Sequence, residues 1–234
     1  MRSPYGLRIV ESSLKAFLTH KGRVFCDLSA SALKALDAFS YPVDYPKGAL
    51  LFIEGQTARG IFVICSGQVK LYFSSRDGKV IILKIAQAGE LIGLHATLSG
   101  KPYEVTAEVL EQAQVNFVPG PVFTRFLRMN SEAFMRIARL LMDSHYADYE
   151  LIQSLGLSRT ASEKLARLLL RWSASRDRFQ IALTHKEIGE MIGVTRETVT
   201  RLLSEFKKGQ LLAVKGATVT ICNRAALENL AVAS

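Results

Sequence analysis

The stretch Gly193–Phe206, GVTRETVTRLLSEF, decides how the chain is read. Val199, Leu202, Leu203 and Phe206 stand at i, i+3, i+4 and i+7, which commits them to one helix face and to a core. Thr195 is placed to cap that helix. With the inner face assigned, Glu197, Thr200, Arg201 and Ser204 point the other way, and Arg196 opens the first turn. A solvated face laced by i, i+4 ion pairs is the plain alternative, because many helices carry such charges.

The neighbouring residues weigh against that alternative. Thr184-His185-Lys186-Glu187 has the form of a capping box, so a helix starts there and runs through Ile188, Met191 and Ile192 to Gly193, where a tight turn is allowed. Two helices joined by a short glycine turn form a helix-turn-helix, which sets the N-terminal turn of its second helix into the major groove of DNA. In that groove arginine can grip guanine O6 and N7 with two bonds, and glutamate can accept from the cytosine amino group. FQIAL (Phe179–Leu183) reads as a short strand before the motif. LLAVKGATVTICN reads as a hairpin after it, a wing that brings Lys215, beside Gly216, to the DNA backbone.

The charge is distributed accordingly. Of a formal net charge of +9, the residues from Ser158 onward carry +6, with thirteen Lys and Arg against seven Asp and Glu. A basic excess calls for a polyanionic partner, nucleic acid or an anionic membrane surface, and charge alone does not choose. No window reaches the roughly 18 consecutive apolar residues of a membrane span, and the N-terminus lacks a signal-peptide core. A cytoplasmic protein without a membrane partner is expected.

Upstream, ASEKLARLLLRWSA reads as a helix with Leu165, Leu168, Leu169 and Trp172 on one face, and LGLSRT (Leu155–Thr160) as a hinge before it. From Val122 the chain keeps helical periodicity without turn residues, with Phe134, Ile137, Leu140, Leu141, Ser144, Tyr149, Ile152 and Leu155 on roughly one stripe. A helix this long between two domains is expected to pair with its own copy. From about Val43 to Val118, short Val-, Ile- and Phe-rich runs alternate with glycines, the pattern of an antiparallel barrel or jelly roll. Asp77-Gly78 is its clearest hairpin signal. DLSASALKALDAF, ahead of the barrel, reads as a short amphipathic helix capped by Ser29 or Asp27.

Three cysteines (Cys26, Cys65, Cys222) and four histidines (His20, His95, His145, His185) are scattered, with no CxxC, HxH or HExxH spacing to seed a metal site. Cys65 reads as core, while Cys26 is a candidate reactive thiol. No cofactor and no enzymatic activity are expected. A metal enzyme of the cupin type would need clustered His and carboxylate ligands on strands.

The run LTHKEIGEMIGVTRETVTRLLSEFKKGQLLAVKG resembles the winged helix-turn-helix of the Crp/Fnr family of bacterial transcription regulators, and the order of barrel, long helix and basic domain matches that family over nearly the whole chain. The resemblance implies an α+β protein: a sensor domain over residues 1–120 with an N-terminal helix and an antiparallel jelly-roll barrel, a dimerisation helix and hinge over 121–157, and a winged helix-turn-helix over 158–234. It implies a homodimer on double-stranded DNA with a near-palindromic operator, half-sites resembling TGTGA or TTGAT, and RNA polymerase as partner. Arg196, Glu197 and Arg201 fall on the family's base-reading positions, with Thr200 among them. Thr184, His185, Thr195, Ser204 and Lys215 fall on the DNA-backbone side.

The family's cyclic-AMP branch binds nucleotide in the segment equivalent to Glu90–Val109 and on the long helix. Of its effector-pocket positions only Gly93 matches; the others fall on Leu94, Glu104, Val105, Asp148 and Tyr149, with His95 in the same segment as the one candidate haem ligand. A carboxylate where a cyclic phosphate should sit is repulsive. Cyclic AMP is therefore not expected to bind in the family's usual way, and the effector stays open. The iron-sulfur branch uses four cysteines, one more than the chain has. A barrel protein that binds nucleic acid without choosing sequence is the rival reading.

Overall fold

The computed structural model describes residues 41–173, 176–181 and 183–232. They form two compact units, one built on residues 41–73 and 83–146, the other on 147 onward together with Ser74–Ile82. The stretch read as an N-terminal amphipathic helix, with its caps Asp27 and Ser29, and the thiol of Cys26 lie outside the described residues.

The first unit carries the jelly roll except for Ser74–Ile82. Its strands are β1 (Tyr41–Tyr45), β2 (Leu50–Phe52), β3 (Gly60–Ser66), β4 (Gln68–Ser74), β5 (Val80–Gln87), β6 (Leu91–Ile92), β7 (Thr106–Val109) and β8 (Ala113–Pro119), with helix α1 (Leu94–Ser99) between β6 and β7. They make two four-stranded sheets, ordered β1-β8-β3-β6 and β2-β7-β4-β5. At the expected hairpin between β4 and β5, Gly78 takes φ +81° and the Ser75 N–H bonds Lys79 O at 2.9 Å.

Strand β3 explains why its sequence, GIFVICS, is apolar without alternation. Phe62 and Ile64 point into the barrel with Val69, Leu71, Ala107, Val109 and Val115, whereas Ile61 and Val63 point out onto Val118, Phe123, Phe126, Leu127 and Ile137. Both faces are buried, so neither can be polar. A strand so enclosed also tolerates no bulk at its start, where a Cβ on Gly60 would lie 2.1 Å from Val118 O.

Tyr103 fills the barrel end nearest Gly60. Its ring, 3% exposed, stacks on Phe52 at 4.0 Å and lies against Gly93, where a Cβ would approach it to 2.9 Å. Its hydroxyl donates to Gly60 O at 2.7 Å and accepts the N–H groups of Arg59 and Gly60 at 3.3 Å. Burial pushes the phenol's pKa up, against the lowering effect of those hydrogen bonds. Arg59 O in turn accepts the N–H of Gly120, the first residue of helix α2 (Gly120–Met129).

The long periodic stretch is two helices rather than one. After α2 the chain breaks at Asn130, whose φ of −134° leaves the helical region and whose side-chain amide bonds Phe126 O at 2.8 Å; α3 (Ser131–Leu157) follows. The expected single stripe also divides. Ile137, Leu140 and Leu141 join the cluster on the outer face of β3, but Phe134, Tyr149 and Ile152 are exposed, with Met135, Met142 and Tyr146 beside them. Gly156, part of the expected hinge, is inside α3; the connection is Ser158–Thr160, and Thr160 caps α4 (Ala161–Ser173) through Glu163 N. No helix among the described residues is long and apolar enough to cross a membrane.

Candidate nucleic-acid interface

The second unit completes its fold around a small sheet. Strand β9 (Arg178–Gln180) pairs with β11 (Thr218–Ile221), which pairs with β10 (Leu212–Lys215); helices α5 (His185–Ile192), α6 (Arg196–Lys208) and α7 (Arg224–Val232) pack with α4. The strand expected over Phe179–Leu183 is shorter and begins one residue earlier, because β11 offers ladder partners only to Arg178, Phe179 and Gln180.

Local chemistry sets both helix starts. The Thr184 hydroxyl accepts the Glu187 N–H at 3.2 Å while the Glu187 carboxylate accepts the Thr184 N–H at 2.7 Å, a reciprocal capping box. Thr195 caps α6 by accepting Thr198 N–H at 3.3 Å. Between them Gly193 takes φ +70°, which only glycine adopts without strain. A second glycine, not singled out from the sequence, sets the closeness of the two helices. Val194 N–H bonds Gly189 O at 2.9 Å, and a Cβ on Gly189 would lie 2.6 Å from Val194 O. An isolated glycine in an otherwise helical run, four residues before another, was the available signal.

With that turn fixed, α6 is two-sided. Val199, Leu202, Leu203 and Phe206 are buried. Arg196, Glu197, Thr200, Arg201 and Ser204 line an open depression of about 550 Å³ together with Glu205 and Lys208. The ion pair on this face joins Arg201 to Glu205 at 2.9 Å, so the guanidinium is held along the helix by a residue the sequence reading passed over. Glu197's pKa is lowered, first by its own backbone N–H and then by the Thr195 hydroxyl, which keeps it anionic beside the helix N-terminus.

Two further side chains meet across the motif. His185, the first residue of α5, places Nδ1 2.8 Å from the Thr200 hydroxyl, which also reaches Arg196 O at 3.0 Å. The wing turns at Gly216, φ +59°, and leaves Lys215 exposed opposite Thr218. The DNA-backbone candidates Thr184, His185, Thr195, Ser204 and Lys215 are all exposed.

The candidate effector residues have differing surroundings within their own units. Gly93 is covered by Tyr103, Leu94 and Val105 are buried in apolar clusters, and His95 faces Glu104 at 3.9 Å on an open surface. Asp148 and Tyr149 lie on α3 in the second unit. Neither the depression on α6 nor a second one of about 520 Å³, beside Thr97 and Arg125, is lined by any of these seven. No group of three or more His, Cys, Asp or Glu among the described residues could hold a metal ion.

Residues 163–230 match the Crp-like helix-turn-helix domain, and residues 42–130 match the cyclic nucleotide-binding domain. The fumarate and nitrate reduction regulatory protein of Vibrio cholerae is 32% identical over 192 residues, covering 79% of this chain and 76% of the relative. The chain belongs to the Crp/Fnr family. The fumarate and nitrate reduction regulatory protein of Escherichia coli strain K12 is 31% identical over the same length. Among solved structures, FixK2 of Bradyrhizobium japonicum superposes with a TM-score of 0.74 over 82% of this chain and 96% of that one, at 22% identity. A CooA mutant from Carboxydothermus hydrogenoformans gives 0.75 over 96% and 98%, at 21%. This Crp/Fnr protein is thus a transcription regulator with a helix-turn-helix DNA-binding domain.

The Gly189 approach generates a direct test. Replacing Gly189 with Ala should destabilise the helix-turn-helix by about 1–3 kcal/mol, the range for forced overpacking. Urea unfolding should register that loss, and amide shifts from Val194 to Thr200 should show α6 displaced.

Proposed function

We propose that this Crp/Fnr regulator binds a near-palindromic operator as a homodimer, reading base edges with Arg196, Glu197, Thr200 and Arg201. The observation that carries the reading is the division of α6, whose inner face is fully used by the core while its outer face carries ionised groups at the N-terminal turns. A groove-bound arginine supplies two donors to guanine and a glutamate one acceptor to cytosine. Thr184, His185, Thr195, Ser204 and Lys215 supply backbone contacts, which position the protein without choosing sequence. The basic excess of the region supports a polyanionic partner.

The dimer is assigned to residues 121–157. Met135, Met142, Tyr146, Tyr149 and Ile152 leave α3 with an apolar surface in the single chain; Tyr146 is 72% and Ile152 65% exposed. Such a continuous apolar stripe on one helix suits a two-fold partner. Two-fold symmetry then sets half-sites about 34 Å apart, one helical turn. RNA polymerase is the protein partner that family membership implies.

Cyclic AMP is not the effector in this reading. Tyr103 fills the barrel next to Gly93, and Glu104 contributes negative charge in the same segment.

Three measurements test these assignments. Arg201→Ala should cost about 1–3 kcal/mol on the selected operator and relax one base preference, while Lys215→Ala should weaken all sequences alike and lower the salt slope by about 1. Equal binding of operator and scrambled DNA by the unaltered chain would instead favour sequence-indifferent association. Ile152→Asp should move the sedimenting species from dimer to monomer; an unchanged dimer would place the interface elsewhere. Calorimetric titration with cyclic AMP should give no micromolar heat, and a saturable isotherm would overturn that exclusion.

A further inference from the structure

We propose that Thr200 selects a thymine through its methyl group, and that His185 is the positioning residue that makes it do so. The inference rests on the reading of α6 as the base-reading helix and specifies the chemistry of one of its positions.

A threonine can address DNA in two ways, by its hydroxyl or by its methyl. Its hydroxyl has one proton, and that proton has a destination within the protein: Arg196 O, 3.0 Å away, is a carbonyl that only accepts. The 2.8 Å contact to His185 Nδ1 must then run the other way, with the imidazole donating its Nδ1–H to the threonine oxygen. This is the one assignment that satisfies both contacts. The clamp spans the two helices of the motif, from the first residue of α5 to the second turn of α6.

Thr200 therefore has no proton to offer a base. In the major groove guanine presents two acceptors and adenine N7 another, and a residue without a donor gains nothing from them. Thymine alone presents a methyl group there. Thr200 is exposed on the same face as Arg196, Glu197 and Arg201, so its remaining apolar group is offered to the groove those residues enter. Serine or threonine reading by hydroxyl is the alternative, and it would favour adenine or guanine acceptors or an amino group instead.

The test uses the full chain and an operator obtained by selection from random DNA. Each thymine of the half-site is replaced in turn, symmetrically, by deoxyuridine, which removes only the 5-methyl group. One position should lose about fifteen-fold in affinity, about four-fold for each of the two methyl-sized contacts that the symmetric replacement removes. Thr200→Ser, which keeps the hydroxyl and drops the methyl, should abolish the thymine-over-deoxyuridine preference at that position. Thr200→Val, which keeps the methyl and drops the hydroxyl, should retain it, because valine holds one χ1 rotamer in a helix without the clamp, whereas threonine divides between two. His185→Ala should reduce the preference ratio itself, whereas a purely structural role would weaken both operators equally; His185→Asn, whose amide can still donate, should restore the ratio.

An operator held with normal affinity and Arg201 sensitivity, yet indifferent to deoxyuridine at every position, overturns the proposal and leaves the base-reading helix standing. Retention of the preference in Thr200→Ser, or its loss in Thr200→Val, overturns it equally. A selection that returns no preferred sequence removes the base-reading helix, and this inference with it.

Discussion

The contact on which the DNA-binding unit depends is between two backbones. Gly189 lets α5 approach the turn so closely that Val194 N–H reaches its carbonyl, and no side chain larger than hydrogen fits there. Once that distance is set, the two threonine caps fix where each helix begins, and the rotation of α6 follows from burying Val199, Leu202, Leu203 and Phe206. The sidedness of the recognition helix is a by-product of packing. Arginine and glutamate are outside because four apolar side chains are inside.

In the barrel the corresponding constraint is the enclosure of β3 on both faces. Gly60 at its start is pressed against Val118 O, and the Tyr103 hydroxyl holds the Arg59–Gly60 peptide from within. That peptide's own carbonyl oxygen, Arg59 O, anchors the first residue of α2. The tyrosine thus stands two hydrogen bonds from the helix that leads out of the barrel, within the residues that match the cyclic nucleotide-binding domain. An aromatic ring fills space there without supplying a cation for a phosphate.

The parts of this organisation that were legible in the sequence are those governed by local rules. Thr184 and Glu187 lie three apart, Thr195 precedes an i, i+3, i+4, i+7 series, and Asp77-Gly78 sits between two strand patterns; each specifies its structure with little help from the rest of the chain. The break at Asn130 was not legible. Its amide replaces a helical hydrogen bond, and periodicity on either side continues almost in phase. The inward direction of Tyr103 was hidden for another reason, since it depends on partners some forty residues away in sequence. The role of Gly189 and the Arg201–Glu205 pair required knowing which backbone and which carboxylate came near. The seven effector positions came from family correspondence; of these, Leu94 and Val105 lie in buried clusters, and His95 and Glu104 are exposed.

The outward face of α6 carries no buried side chain, so the core sets no demand on it. Substitutions at Arg196, Glu197 or Arg201 alter what the helix can recognise while leaving the core untouched. A lineage can therefore rewrite its operator without passing through unfolded intermediates. Thr200 is less free than its neighbours, because it is tied to His185 on the other helix; change at that position is coupled to change at a second, distant in sequence.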